Sequence, residues 1–353
     1  MPGDEKTSPA TRTQQRRGSD FAVLARTVGE HGLLGTRPGH YTVRIGITLL
    51  LLIAAWTVFV LIGPSWWQLL TAVPLAVLFT QTAFIGHDAG HQQISANRRI
   101  NTLIGRIHGN LLVGLGFAWW IDKHDRHHAH PNHEGRDPDI AGAALAFSRE
   151  QALLRRRGPG RWLARSQAWL FFPMLLLEAF HLHAASVRGV VEDTSMPTRD
   201  RVLEGGLLAL HLGGYLTLVL TTLTPAQALC FVLVHQGLFG LYMGCSFAPN
   251  HKGMPVLEEG ARAGFLRRQV LTTRNIRGGP LTDLVLGGLN YQIEHHLFPS
   301  MPRPNLRRAQ PLVRAACERC GLVYHETGLL HSYAEVLRHL HRVGGPLRPE
   351  LEY

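Results

Sequence analysis

Histidine is the residue type in this 353-residue sequence whose number and spacing point to chemistry. The chain contains 21 histidines, about three times what average usage would give. Seven of them lie at fixed spacing in three short clusters: H-D-A-G-H at residues 87–91, H-D-R-H-H at 124–128 and Q-I-E-H-H at 292–296. An Asn250-His251 pair lies between the second and third clusters. Because neutral imidazole is the commonest metal ligand, the clusters are candidates for a metal site.

The spacing within the clusters favours two metal ions over one. Residues four apart share a helix face, so His87 and His91 can reach the same metal. Adjacent His127 and His128 point about 100° apart on a helix and therefore suit two different metals. Imidazole binds zinc, copper, iron and nickel, so the ligand type alone does not choose the metal. The predicted ligands are His87, His91, His124, His127, His128, His251, His295 and His296.

The elements that position these histidines are predicted to be transmembrane helices. Residues 45–86 contain no Asp, Glu, Lys or Arg, and neither do residues 205–250. A bilayer core about 30 Å thick takes about 20 helical residues, so each stretch is long enough for two spans. Gly63-Pro64 and Thr224-Pro225 interrupt the two stretches near their middles. We expect an all-α integral membrane protein with two helical hairpins, whose spans lie at about 44–63, 67–86, 204–223 and 226–248.

The histidine clusters fall just outside these spans, in segments that are expected to form a helical cap. The cap would consist of residues 87–203 and 249–345, so that the whole membrane domain covers 44–345. Within the cap, 101–120 and 167–186 are apolar enough to lie in the membrane interface. Insertion of either one alone would place the clusters on opposite sides of the membrane. We therefore expect both to be interfacial helices.

The two ends of the chain are predicted to lie outside the domain and in the cytoplasm. Residues 1–43, which begin with a polar stretch, are expected to be a disordered cytoplasmic segment, and residues 346–353 a short tail. The turns between paired spans lack Lys and Arg, whereas basic residues such as Arg44, Arg98 and Arg106 flank the hairpins. By the positive-inside rule, both termini and the histidine clusters face the cytoplasm.

The net charge of +11 is explained by this topology. No nucleic-acid-binding motif accompanies the basic residues, so a nucleic-acid partner is not expected. Arginine outnumbers lysine 33 to 3, which is typical of a GC-rich genome. The expected location is therefore a bacterial cytoplasmic membrane.

Two histidines, His211 and His235, lie inside predicted spans, and His235 lies about mid-helix. An ionisable side chain in the membrane is costly, so His235 merits a specific role. At the rise of an α-helix it is about 24 Å from His251 along the axis, too far to bind the same metal. We expect it to make a structural hydrogen bond across the helix bundle.

The three clusters resemble the histidine boxes of the integral-membrane fatty acid desaturase superfamily. The motifs H-D-x-G-H, H-x-x-H-H and Q-I-E-H-H-L-F-P occur in the same order around two transmembrane hairpins, and the resemblance covers roughly residues 40–345. The Gln292 that opens the third box is similar to that of front-end (Δ6-type) desaturases, which insert a double bond between an existing one and the carboxyl end. Typical eukaryotic members carry a fused cytochrome b5 domain with an H-P-G-G motif, which this sequence lacks.

The resemblance implies that the seven box histidines ligate two non-haem irons, with His251 as an extra ligand. It implies an O2-dependent desaturase that puts a cis double bond into a fatty acyl chain carried by lipid, coenzyme A or a carrier protein. Electrons would come from an external donor, such as a ferredoxin or another electron-transfer protein, and membrane lipid would surround the protein. Residues expected to orient or supplement the ligands are Asp88, Asp125, Asn250, Gln292 and Glu294.

Two other functions remain open at this point. A fatty acyl hydroxylase of the same superfamily would use the same site and differ only in its product. A zinc-dependent membrane hydrolase, or a receptor related to one, belongs to a different class. A single hydrolytic zinc needs only three protein ligands, so the paired histidines would be redundant as ligands.

Overall fold

The computed structural model of the protein describes residues 9–141, 144–193 and 195–348, with the backbone alone for residues 9–19. The structure is almost entirely helical. The helices are α1 Pro9–Glu30, α2 Pro38–Ile62, α3 Gln68–Gly90, α4 Arg98–Arg106, α5 Phe117–Ala129, α6 Arg149–Leu153, α7 Gly158–Leu175, α8 Glu178–Glu192, α9 Thr198–Thr222, α10 Pro225–His251, α11 Phe265–Leu271, α12 Pro280–Val285, α13 Gln292–Leu297, α14 Arg303–Arg319 and α15 Leu329–Val343. Two short strands, β1 Asn275–Ile276 and β2 Glu326–Thr327, pair in parallel. A π-helical turn, Ile107–Leu111, continues α4, and 3₁₀ turns cover Leu289–Tyr291 and Gly345–Leu347.

Four helices are long and apolar enough to cross a membrane, namely α2, α3, α9 and α10. This confirms the prediction of an all-α membrane protein with two hairpins. α2 ends at Gly63, whose positive φ of 66° breaks the helix. The side chain of Gln68 then donates to the carbonyls of Phe59 (2.6 Å) and Gly63 (3.0 Å) and closes the first hairpin. Trp66 and Trp67 are exposed in this turn, as residues of a membrane interface are.

The helices extend beyond the predicted spans at the end where the histidine clusters begin. α3 continues to Gly90 and therefore carries His87 on its last turn, and α10 continues to His251. The predicted cross-bundle bond of His235 is present, because its Nδ1 lies 3.0 Å from the hydroxyl of Tyr215 on α9. Phe79 of α3 packs edge-on to the same imidazole, with ring centroids 4.6 Å apart. The polar side chain is thus enclosed by the three helices.

Residues 167–186 do not form one continuous helix, because they cross the junction of α7 and α8. These two helices meet at an angle of 79°. His128 precedes this pair and His251 follows it, yet both belong to one histidine cluster, described below. The spans α9 and α10 lie between them and return the chain to the same side of the membrane. A further crossing by α7 and α8 would separate the two histidines, so the bent pair enters and leaves on one side.

Residues 101–120 are also divided. α4 runs into the π-helical turn, the chain turns at Gly114 with a φ of 76°, and α5 begins at Phe117. Arg106 anchors this segment to α9 through ion pairs with Asp200 (2.8 Å) and Glu204 (3.1 Å). The segment is therefore a broken element rather than a single helix, and half of its residues are buried in the protein.

The N-terminal segment differs from the expectation of disorder. α1 covers residues 9–30, and its Leu24 and Val28 are buried against Leu306 and Val313 of α14. The physical reason is an apolar stripe at helical spacing, which gains free energy by packing on the cap. Of the predicted C-terminal tail, residues 346–348 belong to a 3₁₀ turn and its end, and residues 349–353 lie outside the described part of the chain.

Candidate metal centre

Helices α3, α5, α10 and α13 bring all eight predicted ligands into one cluster. Within each of two groups, the potential ligand atoms lie within 4.8 Å of one another. The first group is His87, His91, His124 and His295, and the second is His127, His251 and His296. His128 lies between the groups: its Nε2 is 3.1 Å from that of His124, and its ring stacks on His296 with centroids 4.1 Å apart. This cluster of eight is called the histidine cluster below.

Several Nε2 atoms of the cluster are buried without a hydrogen-bond partner. Among the residues that the structure describes, Nε2 of His87, His91 and His296 has no hydrogen-bond partner, although each is buried. Both nitrogens of His295 are likewise buried and unpaired. Nε2 of His127 and His251 approach each other to 3.4 Å. A buried polar atom without a partner is costly, and a bound cation between these lone pairs would remove that cost.

At three positions of the cluster, by contrast, a side chain of the surrounding protein holds the Nδ1 atom. Nδ1 of His87 lies 3.2 Å from Asp88 Oδ1, and Nδ1 of His127 lies 3.0 Å from Asp137 Oδ1. Nδ1 of His296 lies 3.0 Å from Gln269 Oε1. A partner on one ring nitrogen fixes the tautomer and directs the other nitrogen to a metal. The arrangement therefore presents Nε2 as the ligand atom at these three positions.

Burial holds five imidazoles of the cluster, all outside the membrane spans, in their neutral form. Burial lowers the pKa of His91, His128 and His295 well below the ordinary histidine value, and their histidine neighbours lower it further. The same causes act on His124 and His296. Neutral imidazole is the form that binds a metal, whereas imidazolium has no free lone pair. The cluster therefore fits two metal ions in its donor type, its geometry and its protonation.

Asp88, which was predicted to orient a ligand, is itself fixed by two partners. Its carboxylate accepts from Arg303 Nη2 at 2.7 Å and from the hydroxyl of Tyr41 at 3.1 Å. Arg303 also donates to the carbonyl of Phe84 at 3.0 Å. All of these groups are buried, so the chain from Arg303 through Asp88 to His87 is a fixed support for the ligand.

Asn250 and Gln292 also lie at the histidine cluster. Gln292 Nε2 is 2.9 Å from Nε2 of His251, and its Oε1 accepts from Asn250 Nδ2 at 3.3 Å. Both amides are buried. They stand beside the three-histidine group, where they can supplement its ligands or hold a water molecule.

The structure places Asp125 and Glu294 differently from the expectation that they orient imidazoles. Asp125 is exposed, because it projects about 100° away from the face of α5 that His124 presents to the cluster. Glu294 is buried but accepts from Asn275 Nδ2 and from the hydroxyl of Tyr324, each at 2.7 Å. Burial raises the pKa of Glu294 to about 7, and these two hydrogen bonds oppose that shift. Glu294 thus ties α13 to the cap.

Three residues that support the ligand imidazoles, directly or through Asp88, were not predicted from the sequence: Asp137, Gln269 and Arg303. Asp137 reaches His127 because the loop after α5 folds back, with Asn132 at a positive φ of 50° and its backbone N–H donating to Asp137 Oδ2 at 2.7 Å. The sequence did contain a clue to this contact: two acidic residues, in Asp137-Pro138-Asp139, closely follow the second cluster. Asp137 lies on the Nδ1 side of His127 and so supports that ligand.

A cavity of about 640 Å³ lies beside the histidine cluster. His87, His124, His127 and His251 line it, together with Gln292. Most of its remaining wall is apolar and includes Phe84, Leu115, Phe117, Leu182, Met243 and Phe247. Another part of the wall is polar and includes Lys123, Asp139, Glu178, His181 and Lys252. Size and lining are those of a site for an amphiphilic small molecule.

Sequence comparisons agree with this architecture. The family model for fatty acid desaturases matches residues 64–328, more than half of the chain. An acyl-lipid (9-3)-desaturase of Physcomitrium patens is 31% identical over 78% of this chain, which spans 53% of that relative's length. A Delta(6)-fatty-acid desaturase of Caenorhabditis elegans is 32% identical over 78% of this chain and 64% of its own length. Fatty acid desaturase 3 of Bos taurus is 30% identical over 92% of this chain and 73% of its own length.

The matched region contains all three histidine motifs and three of the four spans in full. The chain spans about half of the moss relative and about two thirds of the nematode one. Similarity of this extent, with the histidine cluster assembled as described, establishes the family. The chain belongs to the fatty acid desaturase family.

Proposed function

We propose that this protein is an O2-dependent fatty acyl desaturase that uses two iron ions held by the histidine cluster. The observation that carries the proposal is the opening of an eight-imidazole cluster onto an apolar cavity. Desaturation removes one hydrogen atom from each of two adjacent methylenes and leaves a cis alkene. These two hydrogens, together with O2, two electrons and two protons, form two water molecules. Irons bound at the cluster would supply the activation of O2, which protein side chains cannot provide.

The chain's own residues would bind and orient the substrate. The apolar wall, including Phe84 and Phe117, takes an acyl chain out of water and holds its methylenes beside His87 and His124. The same wall excludes water from the reacting carbons. Asp88, Asp137 and Gln269 keep the ligand imidazoles in place through their Nδ1 atoms.

The printed names of two relatives bear on the substrate. The moss protein acts on acyl lipids, and the nematode protein is a Delta(6) enzyme. We extend these features to this chain as front-end selectivity on a lipid-bound or coenzyme A-bound acyl chain. The electron donor would be a separate ferredoxin or similar protein.

The test is expression in a host without desaturases, followed by gas chromatography and mass spectrometry of the fatty acids. We expect a new alkene from the wild-type protein and none from His295→Ala, because that change removes a ligand from the four-histidine group. His331→Ala is the matched control, since His331 is 65% exposed and lies outside the cluster. This variant should give the wild-type product.

The same samples distinguish the alternatives. A hydroxy fatty acid in place of an alkene would identify a hydroxylase. One zinc per chain without iron, measured on the purified protein, would favour a hydrolase. An unchanged acyl profile despite measured iron loading would overturn the proposal.

We further infer that the protein lies in a bacterial cytoplasmic membrane with both termini and the histidine cluster in the cytoplasm. The arginines that flank the hairpins support this orientation through the positive-inside rule. A C-terminal alkaline phosphatase fusion should be inactive and a C-terminal green fluorescent protein fusion fluorescent. Phosphatase activity with no fluorescence would reverse the orientation.

A further inference from the structure

Lysine is scarce in this chain, and two of its three lysines line the cavity. The sequence has 33 arginines but only Lys6, Lys123 and Lys252. Lys123 and Lys252 come from different helical segments and meet at the polar part of the cavity wall. Their compact ammonium groups differ from arginine in offering three freely rotating donors to a single acceptor. Although arginine is the usual basic residue of this chain, both lysines in the described part of the structure lie at the same end of the cavity.

Asp139 holds the two lysines together. Its carboxylate pairs with Lys123 Nζ at 2.5 Å, and its backbone carbonyl accepts from Lys252 Nζ at 3.1 Å. Lys252 Nζ also lies 4.3 Å from the centre of the Phe147 ring. Burial opposes ionisation of Lys123, but the Asp139 carboxylate raises the pKa of Lys123 above its ordinary value. Burial lowers the pKa of Lys252, and the carboxylates of Asp139 and Asp137 oppose that shift. Each ammonium group has three N–H donors, and its bond to Asp139 uses one of them.

The charged residues of the cavity wall reach solvent, as does the apolar Leu177, whereas several of its large apolar residues are buried. Lys123 and Asp139 are 33% and 32% exposed, and His181 at the same end is also exposed. The apolar lining residues Phe84 and Phe117 are buried. An amphiphile therefore binds with its polar head at the lysines and its hydrocarbon chain in the buried part.

The polar end of the cavity also lies close to the histidine cluster. Lys252 directly follows His251, and Lys123 directly precedes His124. Asp139 Oδ2 lies 3.5 Å from Nδ1 of His127. With the polar head bound at this end, the acyl carbons nearest the carboxyl group are therefore the ones that reach the histidine cluster.

We propose that Lys123 and Lys252 bind the carbonyl oxygen of an esterified or thioesterified acyl chain and so set the double-bond position from the carboxyl end. The carboxylates of Asp139 and Glu178 at the same end balance the formal charge of the two lysines, so the neutral carbonyl of an ester fits the site without an added anion. This inference rests on the proposed desaturase function. It adds the residues that select the substrate head and the reacting carbon.

The first test compares the positions of the new double bond in products from acyl chains of 16, 18 and 20 carbons, each with one existing double bond at the same distance from the methyl end. The wild-type protein should place the double bond at one position counted from the carboxyl end for all three. Lys123→Met and Lys252→Met should each scatter that position and raise KM at least about tenfold, the effect of losing a hydrogen bond from a charged donor. Arg126→Met, which removes an exposed charge outside the cavity, should retain the wild-type position.

Iron content is measured in every variant so that loss of metal is not mistaken for loss of head binding. With wild-type iron, an unchanged position and KM in both lysine variants would overturn the inference. A constant position counted from the methyl end in the wild-type products would also overturn it. If the wild-type protein formed no alkene at all, the proposed function itself would fail.

A second test does not depend on the variants. The purified wild-type protein is treated with a lysine-selective acylating reagent, with and without stearoyl-lysophosphatidylcholine or stearoyl-coenzyme A, and labelling is measured by mass spectrometry. At least one ligand should protect Lys123 and Lys252 relative to Lys6, and the more protective ligand identifies the acyl carrier. If neither ligand changed the labelling of Lys123 and Lys252 relative to that of Lys6, the inference would be contradicted.

Discussion

Three imidazoles of the histidine cluster use their two nitrogens for different purposes. At His87, His127 and His296 the Nδ1 atom faces a side-chain oxygen 3.0–3.2 Å away. The Nε2 atom then carries the lone pair that points into the cluster. A ligand fixed in this way loses little conformational entropy when a metal binds. The supporting residues therefore contribute to metal affinity without touching the metal.

Asp88 and Asp125 provide a direct test of this contribution. Both follow a cluster histidine immediately in sequence, but only Asp88 is buried against its imidazole. We expect Asp88→Asn to lower iron affinity or alkene production about 10- to 100-fold, since an amide supports the imidazole less strongly. Asp125→Asn should match the wild-type protein in both measurements. Equal effects of the two substitutions on iron titration and product yield would contradict the support role.

At the scale of elements, α10 depends on a close contact with the bend between α7 and α8. A Cβ added at Gly240 would lie 2.7 Å from the carbonyl oxygen of Leu175 and from the backbone nitrogen of Ala179. These are backbone atoms, so they cannot move aside as a flexible side chain would. The glycine allows α7 and α8 to pack on the helix that ends in His251, and Leu175 also lines the cavity.

We expect Gly240→Ala to destabilise the protein by about 1–3 kcal/mol, because overpacking forces the helices apart. Gly214→Ala is the matched control: Gly214 lies on the membrane helix α9, and nothing lies within 4 Å of an added Cβ there. Thermal unfolding of the purified proteins in detergent measures the difference. Equal midpoints for the two variants would show that the close contact does not limit stability.

At the scale of the whole molecule, the histidine cluster joins parts of the chain that are distant in sequence. α3 and α5 precede the second hairpin, α10 belongs to it, and α13 follows it. Metal ions bound between these four helices would act as cross-links of the folded state, since the unfolded chain does not assemble the site.

We therefore expect metal removal to lower the unfolding midpoint of the purified protein by about 5 °C or more. This corresponds to about 2.7 kcal/mol at a hundredfold excess of metal over its dissociation constant. A chelator-treated sample should regain the midpoint after anaerobic addition of Fe²⁺. In His295→Ala, the chelator should have a smaller effect. A midpoint that is independent of metal in the wild-type protein would exclude this cross-linking role.

The spans and the eight histidines could be predicted from sequence because they depend on local patterns, namely uncharged length and helical spacing. Asp137 could not, because its contact with His127 depends on a loop that turns back at Asn132. Asp125 was assigned a supporting role by adjacency alone, whereas the helix turns it away from the cluster. The helix α1 was missed because the polar beginning of the segment obscured the apolar stripe at Leu24 and Val28.

The distribution of the ligands also bears on how the protein is made. His295 and His296 lie on α13, which leaves the ribosome only after both hairpins have been synthesised. A nascent chain that ends before α13 offers no complete four-histidine group, so it cannot hold the first metal. Loading of the proposed metal ions would therefore follow membrane insertion of both hairpins, and a prematurely terminated chain would lack the complete site.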